Sequence, residues 1–251
     1  MNFIITMAGL GSRFQKEGYN CPKYEIELCN GDTLFDLSIK SLINLAKPED
    51  RFIFITRKEN NARDFILTEL RRYFKQINNV SIKEIDYLTD GQATTAYLSK
   101  ELIEDKNEPI IIYNIDTYVE PSALKLEDIK GSGWIPCFNG QGDHWSFCKT
   151  VNYINESNLD DLDRVVEVAE KKRISPNCSI GLYYFESFKL YEQLYEVYKT
   201  NNTEKYIMPM YQYMLDKNKP VYITSIPEDK VHCLGTPQEL KEYENKLKLN
   251  S

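Results

Sequence analysis

Asn2-Phe3-Ile4-Ile5-Thr6-Met7-Ala8-Gly9-Leu10-Gly11-Ser12-Arg13 begins as an apolar strand and runs straight into a glycine-rich loop. Phe3, Ile4 and Ile5 form a continuous apolar run, the pattern of a strand covered on both faces. Gly9 and Gly11 lack a Cβ, so the backbone N–H groups of residues 7–12 can approach an anion closely. Arg13 adds a planar fork of donors, and Lys23, in Cys21-Pro22-Lys23, adds a second cation ten residues later. Taken in isolation, such a loop is equally compatible with a structural turn.

Outward from this strand, apolar runs alternate with helical periodicity. Phe52-Ile53-Phe54-Ile55 reads as a central parallel strand, as does Ile110-Ile111-Ile112-Tyr113, and residues 80–85 as a further strand. Thr33 is placed to cap a helix over 34–45, after the turn signal Asn30-Gly31-Asp32. Amphipathic spacing predicts helices over 61–74 and from about 92 to 104. The second half is more β-rich and less regular, with strands expected in 131–149, 165–170, 179–185 and 221–226. Helices are expected there over 188–200, 207–217 and 237–247. The pattern predicts an α/β protein with a doubly wound, mostly parallel, Rossmann-like sheet and an irregular β-rich second half. No linker or repeat divides residues 1–251, so one domain is expected, with halves of about 1–120 and 121–251.

Composition narrows the partners. A chain of 251 residues with net charge −7 does not offer the basic surface that nucleic-acid binding usually needs. No apolar run reaches the 18 or so residues of a membrane helix, and a basic segment followed by an apolar leader is absent. Six scattered cysteines without a Cys-x-x-Cys pair, and only two histidines, argue against zinc. Reduced thiols in a cytoplasmic protein are expected. A homo-oligomer stays open.

Four further segments carry candidate chemistry. Asp116, in Asn114-Ile115-Asp116, ends the most apolar strand, where ligands bind in open α/β sheets. Its carboxylate can hold Mg²⁺, or merely cap the next loop. Gly91-Gln92-Ala93 can start a helix or meet a nucleotide base. Glu170-Lys171 lies in a charged run that is either solvated surface or an anion contact. Gly181, in the strand over 179–185, either admits a ligand against the backbone or relieves packing.

Together these segments resemble the nucleotidyltransferases that join a nucleoside triphosphate to a phosphorylated sugar or small metabolite. The family pattern is Gly-x-Gly-Ser/Thr-Arg, a short spacer, then Pro-Lys. This chain reads Gly9-Leu10-Gly11-Ser12-Arg13, a spacer, then Pro22-Lys23. The P-loop and dinucleotide-binding patterns do not fit, for want of Gly-Lys-Ser/Thr and of a third glycine with its acidic partner. The resemblance implies that Met7, Ala8, Gly9, Leu10, Gly11, Ser12, Gly91, Gln92 and Ala93 bind nucleotide. It further implies Arg13, Lys23 and Asp116 as catalytic, Asp116 as the Mg²⁺ ligand, and Lys171, Glu170 and Gly181 as acceptor-binding.

The C-terminal Cys233-Leu234-Gly235-Thr236-Pro237 resembles the family's Asp-x-Gly-Thr-Pro. Cys233 stands where many members have a second metal carboxylate, which puts a two-carboxylate site in doubt. His232 is either a ligand donor or a packing residue, and His144-Trp145 either lines the acceptor pocket or forms a surface loop.

The spacer and the Gly235-Thr236-Pro237 ending are similar to the capsule and surface-polysaccharide subset, whose members include cytidylyltransferases. The expected reaction joins an NTP, with a lean to CTP, to a sugar 1-phosphate or a small phosphometabolite such as phosphoglutamine or phosphocholine. Pyrophosphate is released. Two other classes remain open: a GT-A glycosyltransferase, which would normally show Asp-x-Asp at the metal strand, and a non-catalytic nucleotide-binding regulator.

Overall fold

The computed structural model describes residues 1–151, 161–200 and 204–250. A ten-stranded sheet organises it, and the four strands at one end of it are parallel. Strands β1 (Asn2–Thr6), β2 (Arg51–Arg57), β3 (Asn79–Ile85) and β4 (Ile110–Asn114) stand in the order β3-β2-β1-β4. Register aligns their carboxyl ends: Thr6 lies opposite Ile55 on one side and Asn114 on the other. Alternate side chains go to opposite faces, which explains the unbroken apolar runs. Ile4, Ile53 and Ile112 pack under α4 (Gln92–Tyr97), α5 (Phe188–Tyr198) and α6 (Met208–Asp216). Phe3, Phe52, Phe54 and Ile111 pack under α2 (Leu34–Leu42) and α3 (Ala62–Tyr73). Each such side chain contributes about 1.5–3 kcal/mol when fully buried.

Thr33 caps α2 as its sequence position suggests. Its Oγ1 accepts from Asp36 N at 3.1 Å, and Asp36 Oδ2 accepts from Thr33 N at 2.8 Å, closing a capping box. Three elements differ from the sequence reading. The helix expected to 104 keeps α geometry only to Tyr97 and continues as a 3-10 turn over Leu98–Glu101. The stretch 131–149 is two strands, β6 (Gly133–Asn139) and β7 (Ser146–Thr150). The stretch 179–185 is likewise divided, into β9 (Asn177–Ser179) and β10 (Leu182–Phe185), because the chain kinks at Gly181, φ +81°.

Beyond β4 the pairing changes direction. β10 lies antiparallel between β4 and β6, and β9, β7 and β8 (Val165–Glu170) continue the sheet outward. β11 (Val221–Ser225) pairs parallel with β6. After β4 a short turn leads to β5 (Thr117–Val119), which pairs with β12 (Val231–Cys233) and sets Cys233 opposite Thr117. The remaining helices are the one-turn α1 (Ser12–Lys16) and the C-terminal α7 (Pro237–Asn250). Among the described residues no helix is long and apolar enough to cross a membrane.

Candidate active site

The carboxyl ends of β1 and β4 open into a cleft of about 560 Å³. One wall is the loop after β1, residues 6–12; the floor is Lys23 with residues 114–116; the opposite wall is residues 88–92, with Glu204 at the rim. Lys23 and Asp116 meet here, Nζ to Oδ2 at 2.6 Å, with side chains only 19% and 25% exposed. Backbone geometry brings them together. Asp116 follows the parallel strand beside β1, while Lys23 opens the 3-10 turn Lys23–Glu25, pinned by the buried Tyr24 whose hydroxyl meets Thr56 at 3.4 Å.

Met7, Ala8, Gly9, Leu10, Gly11 and Ser12 line the cleft, as do Gly91 and Gln92. Gln92 Nε2 donates to Thr6 Oγ1 at 3.1 Å, and Thr6 in turn donates to the Tyr113 carbonyl at 3.2 Å. This chain holds the carboxamide across the cleft. Gly91 lacks a Cβ for a reason the local pattern did not reveal. At φ +151° its Cβ would lie 2.5 Å from the Lys205 carbonyl oxygen and 2.6 Å from its nitrogen. Residue 205 bridges this loop through Lys205 N to Asp90 O and Ala93 N to Lys205 O, both 2.8 Å. Ala93 is therefore turned into the core, fully buried, and its N–H is already used.

Arg13 is placed differently from Lys23. It sits in α1, exposed, and lies outside the cleft lining. Lys171 follows β8 with φ +53°. Its ammonium donates to the Tyr206 hydroxyl, which donates to Glu204, and it stands 3.9 Å from Glu204 Oε2. The lysine thus reaches the cleft rim only through these two residues. Glu170 points to the Ser146 hydroxyl instead, and burial pushes its carboxyl above the ordinary range. Gly181 abuts Asn114: a Cβ would lie 2.1 Å from Asn114 Nδ2. Asn114 Oδ1 is buried without a partner and its residue lines the cleft.

Thr6, Asn114 and Glu204 are cleft residues that sequence reasoning passed over. Thr6 and Asn114 were readable as register partners at the ends of apolar strands. Glu204 had no local signal, because the strap around residue 205 reaches the loop only in three dimensions.

Near Asp116 stand the side chains of Cys233 and Glu239. Burial, with Glu239 and Asp116 nearby, pushes the Cys233 thiol up to about 12, so it stays a neutral soft group unsuited to magnesium. Glu239 comes closer. The point a Cβ would occupy on Gly235 lies 3.4 Å from Asp116 Oδ2 and 3.6 Å from Glu239 Oε2. Glu239 also accepts from Thr236 Oγ1 at 2.9 Å, so α7 fixes its place. Asp116 and Glu239 thus flank Gly235 as oxygen donors of the kind magnesium takes, with Asp116 Oδ2 also paired to Lys23; no group of three or more His, Cys, Asp or Glu that could hold a metal ion occurs among the described residues.

His232 packs instead of pointing to the cleft, its ring 4.8 Å from Tyr243 and 5.6 Å from Tyr118. The His144 ring lies tilted against Trp145, centroids 4.4 Å apart, in the β6–β7 turn, where Trp145 Nε1 donates to Gln141 O at 2.7 Å. All six cysteines are free.

No family profile and no curated protein matches the chain. Solved structures do. A nucleoside-diphosphate-sugar pyrophosphorylase from Vibrio cholerae RC9 shares 30% identity over 98% of this chain and 100% of its own, with a TM-score of 0.85. The inositol-1-phosphate CTP transferase of T. maritima shares 17% identity, covering 98% and 96%, at a TM-score of 0.75. The CTP:phosphocholine cytidylyltransferase of Streptococcus pneumoniae shares 16%, covering 98% and 98%, at 0.70. The last two likenesses speak to the fold alone.

Proposed function

Since the chain belongs to the nucleotidyltransferase family of the Vibrio cholerae nucleoside-diphosphate-sugar pyrophosphorylase, we propose that it joins CTP to a phosphorylated acceptor and releases pyrophosphate. The acceptor in this reading is a sugar 1-phosphate or a small phosphometabolite such as phosphoglutamine or phosphocholine. The product would serve capsule or surface-polysaccharide synthesis. One observation carries the reading: the Lys23–Asp116 pair on the floor of a cleft walled by the Gly9–Gly11 loop.

An acceptor phosphate oxygen attacks the α-phosphorus in line, forming the new P–O bond. The bond to the β-phosphate oxygen breaks, and its electron pair leaves with pyrophosphate. The nucleophile is already anionic, so no general base is required, and rate comes from positioning and charge stabilisation. Backbone N–H groups of residues 9–12 cradle the phosphates and Lys23 neutralises them. Gln92, held by Thr6, offers a donor and an acceptor to the base edge. Asp116, with Glu239 beside Gly235, would hold magnesium, which when bound would supply neutralisation of phosphate charge. Lys171 receives the acceptor phosphate at the rim.

The test is a matrix of CTP, UTP, GTP, ATP and dTTP against sugar 1-phosphates, phosphocholine and phosphoglutamine, read as released pyrophosphate. Turnover confined to CTP with one acceptor is expected. Release with another triphosphate alone would move the base assignment. No release with any pair would overturn transfer in favour of a glycosyltransferase or a nucleotide-binding regulator.

A further inference from the structure

A second cavity, about 420 Å³, lies behind the glycine loop and shares Gly9 and Leu10 with the cleft. Its chemistry is concentrated in Arg57, the last residue of β2. The Arg57 side chain is 13% exposed, and its Nη1 is buried without a hydrogen-bond partner. Nη2 pairs with Glu59 Oε2 at 2.9 Å, but Glu59 is 62% exposed and free to swing into water. A guanidinium that keeps one nitrogen unsatisfied and the other on a loosely held carboxylate is suited to an incoming anion. Asn20, Asn60 and Gln15 add neutral polar groups around it. A further hollow of about 380 Å³ shares Arg57 and Glu59 and is lined also by Lys58 and Asp86.

Sheet order supplies the direction. β2, β1, β4 and β10 are consecutive neighbours, so Arg57, the glycine loop, Asp116 and Gly181 follow one another along a single edge of the sheet. Adjacent strands are about 4.8 Å apart. In-line displacement needs the acceptor on one side of the α-phosphorus and the leaving group on the other. On the nucleotidyl-transfer reading Gly181 and Lys171 lie toward the acceptor, and the β2 side is then where the leaving group departs.

We infer that the Arg57 cavity is a pyrophosphate subsite, taking the leaving group as it passes the glycine loop and exchanging it for Glu59 on the way to solvent. The inference rests on the nucleotidyl-transfer reading. No bond changes in this step; Arg57 gives up the Glu59 carboxylate and donates to pyrophosphate oxygens. In the reverse reaction the same cavity is where pyrophosphate enters.

Two variants with opposite expected signs test it. With the full chain and whichever nucleotide-linked product it uses, Arg57→Gln raises the KM for pyrophosphate roughly tenfold relative to the KM for that product, as expected for a lost charge-assisted pair. Glu59→Gln removes the competing carboxylate and lowers the pyrophosphate KM. Isothermal titration of pyrophosphate into each chain, with thermal melts to show that it is folded, reads the same affinities without turnover. Pyrophosphate constants unchanged by both substitutions overturn the inference even if transfer proceeds. Absence of turnover with every pair tells against the transfer reading instead, and titration still decides whether Arg57 binds pyrophosphate.

Discussion

The floor and the rim of the cleft are built by different means. On the floor, Lys23 and Asp116 are held by backbone: parallel strands in register, a 3-10 turn, and side chains at most 25% exposed. At the rim, Lys171, Tyr206 and Glu204 are joined through side chains, and the Lys171 and Glu204 side chains are 52% and 61% exposed. Exposed pairs of this kind are worth about 0–1 kcal/mol. The floor is therefore set before any ligand arrives, whereas the rim can exchange its internal partners for an incoming anion at little cost.

The largest expected effect tests the floor. Asp116→Ala or Lys23→Ala should lower kcat on the order of 10²- to 10³-fold at saturating magnesium, as for other preorganised charge contacts. Near-wild-type turnover in either would dissolve the contrast. Next comes the clamp on the wall over residues 88–92. Gly91→Val places a side chain into the Lys205 backbone, and its melting temperature should fall by about 5 °C with a raised NTP KM. An unchanged melt would show that the strap is not clamped there.

Lys171→Ala sharpens the rim. The acceptor KM should rise roughly tenfold, NTP KM should stay within about twofold, and the melt should hardly move. A large loss of stability would mean that Lys171 is part of the scaffold. The smallest effect concerns Glu170, whose carboxyl burial raises. The folded protein then holds the Glu170 proton to higher pH than the unfolded chain. Its contribution is full below the ordinary glutamate value and lost as pH rises through the raised one. Glu170→Gln should flatten the fall in stability from mildly acidic to neutral pH, measured by denaturant titration, and an unaltered slope would contradict this.

Legibility in the sequence follows the same division. The strand-loop motif, the apolar parallel strands and Asp116 at a strand end were readable because their signals are contiguous. Gln92 was readable through spacing. Arg13 was expected at the phosphates; it stands exposed in α1, outside the cleft lining. Ala93 looked like part of a base-binding loop, while its methyl is needed in the core. Gly181 offered two readings, and its contact with Asn114 depends on β10 joining β4, which local pattern does not encode. The strap at Lys205 is the extreme case: its role is visible only through what a Cβ on Gly91 would strike.

The seat of β10 between β4 and β6 has a practical consequence for dissection. A fragment ending near residue 120 would strip β4 of its neighbour and leave Ile110 to Tyr113 as a naked apolar edge, a template for intermolecular pairing. Chimeras that graft a foreign second half onto residues 1–120 should therefore bring their own version of that strand, matched in register to Tyr113, or they will precipitate.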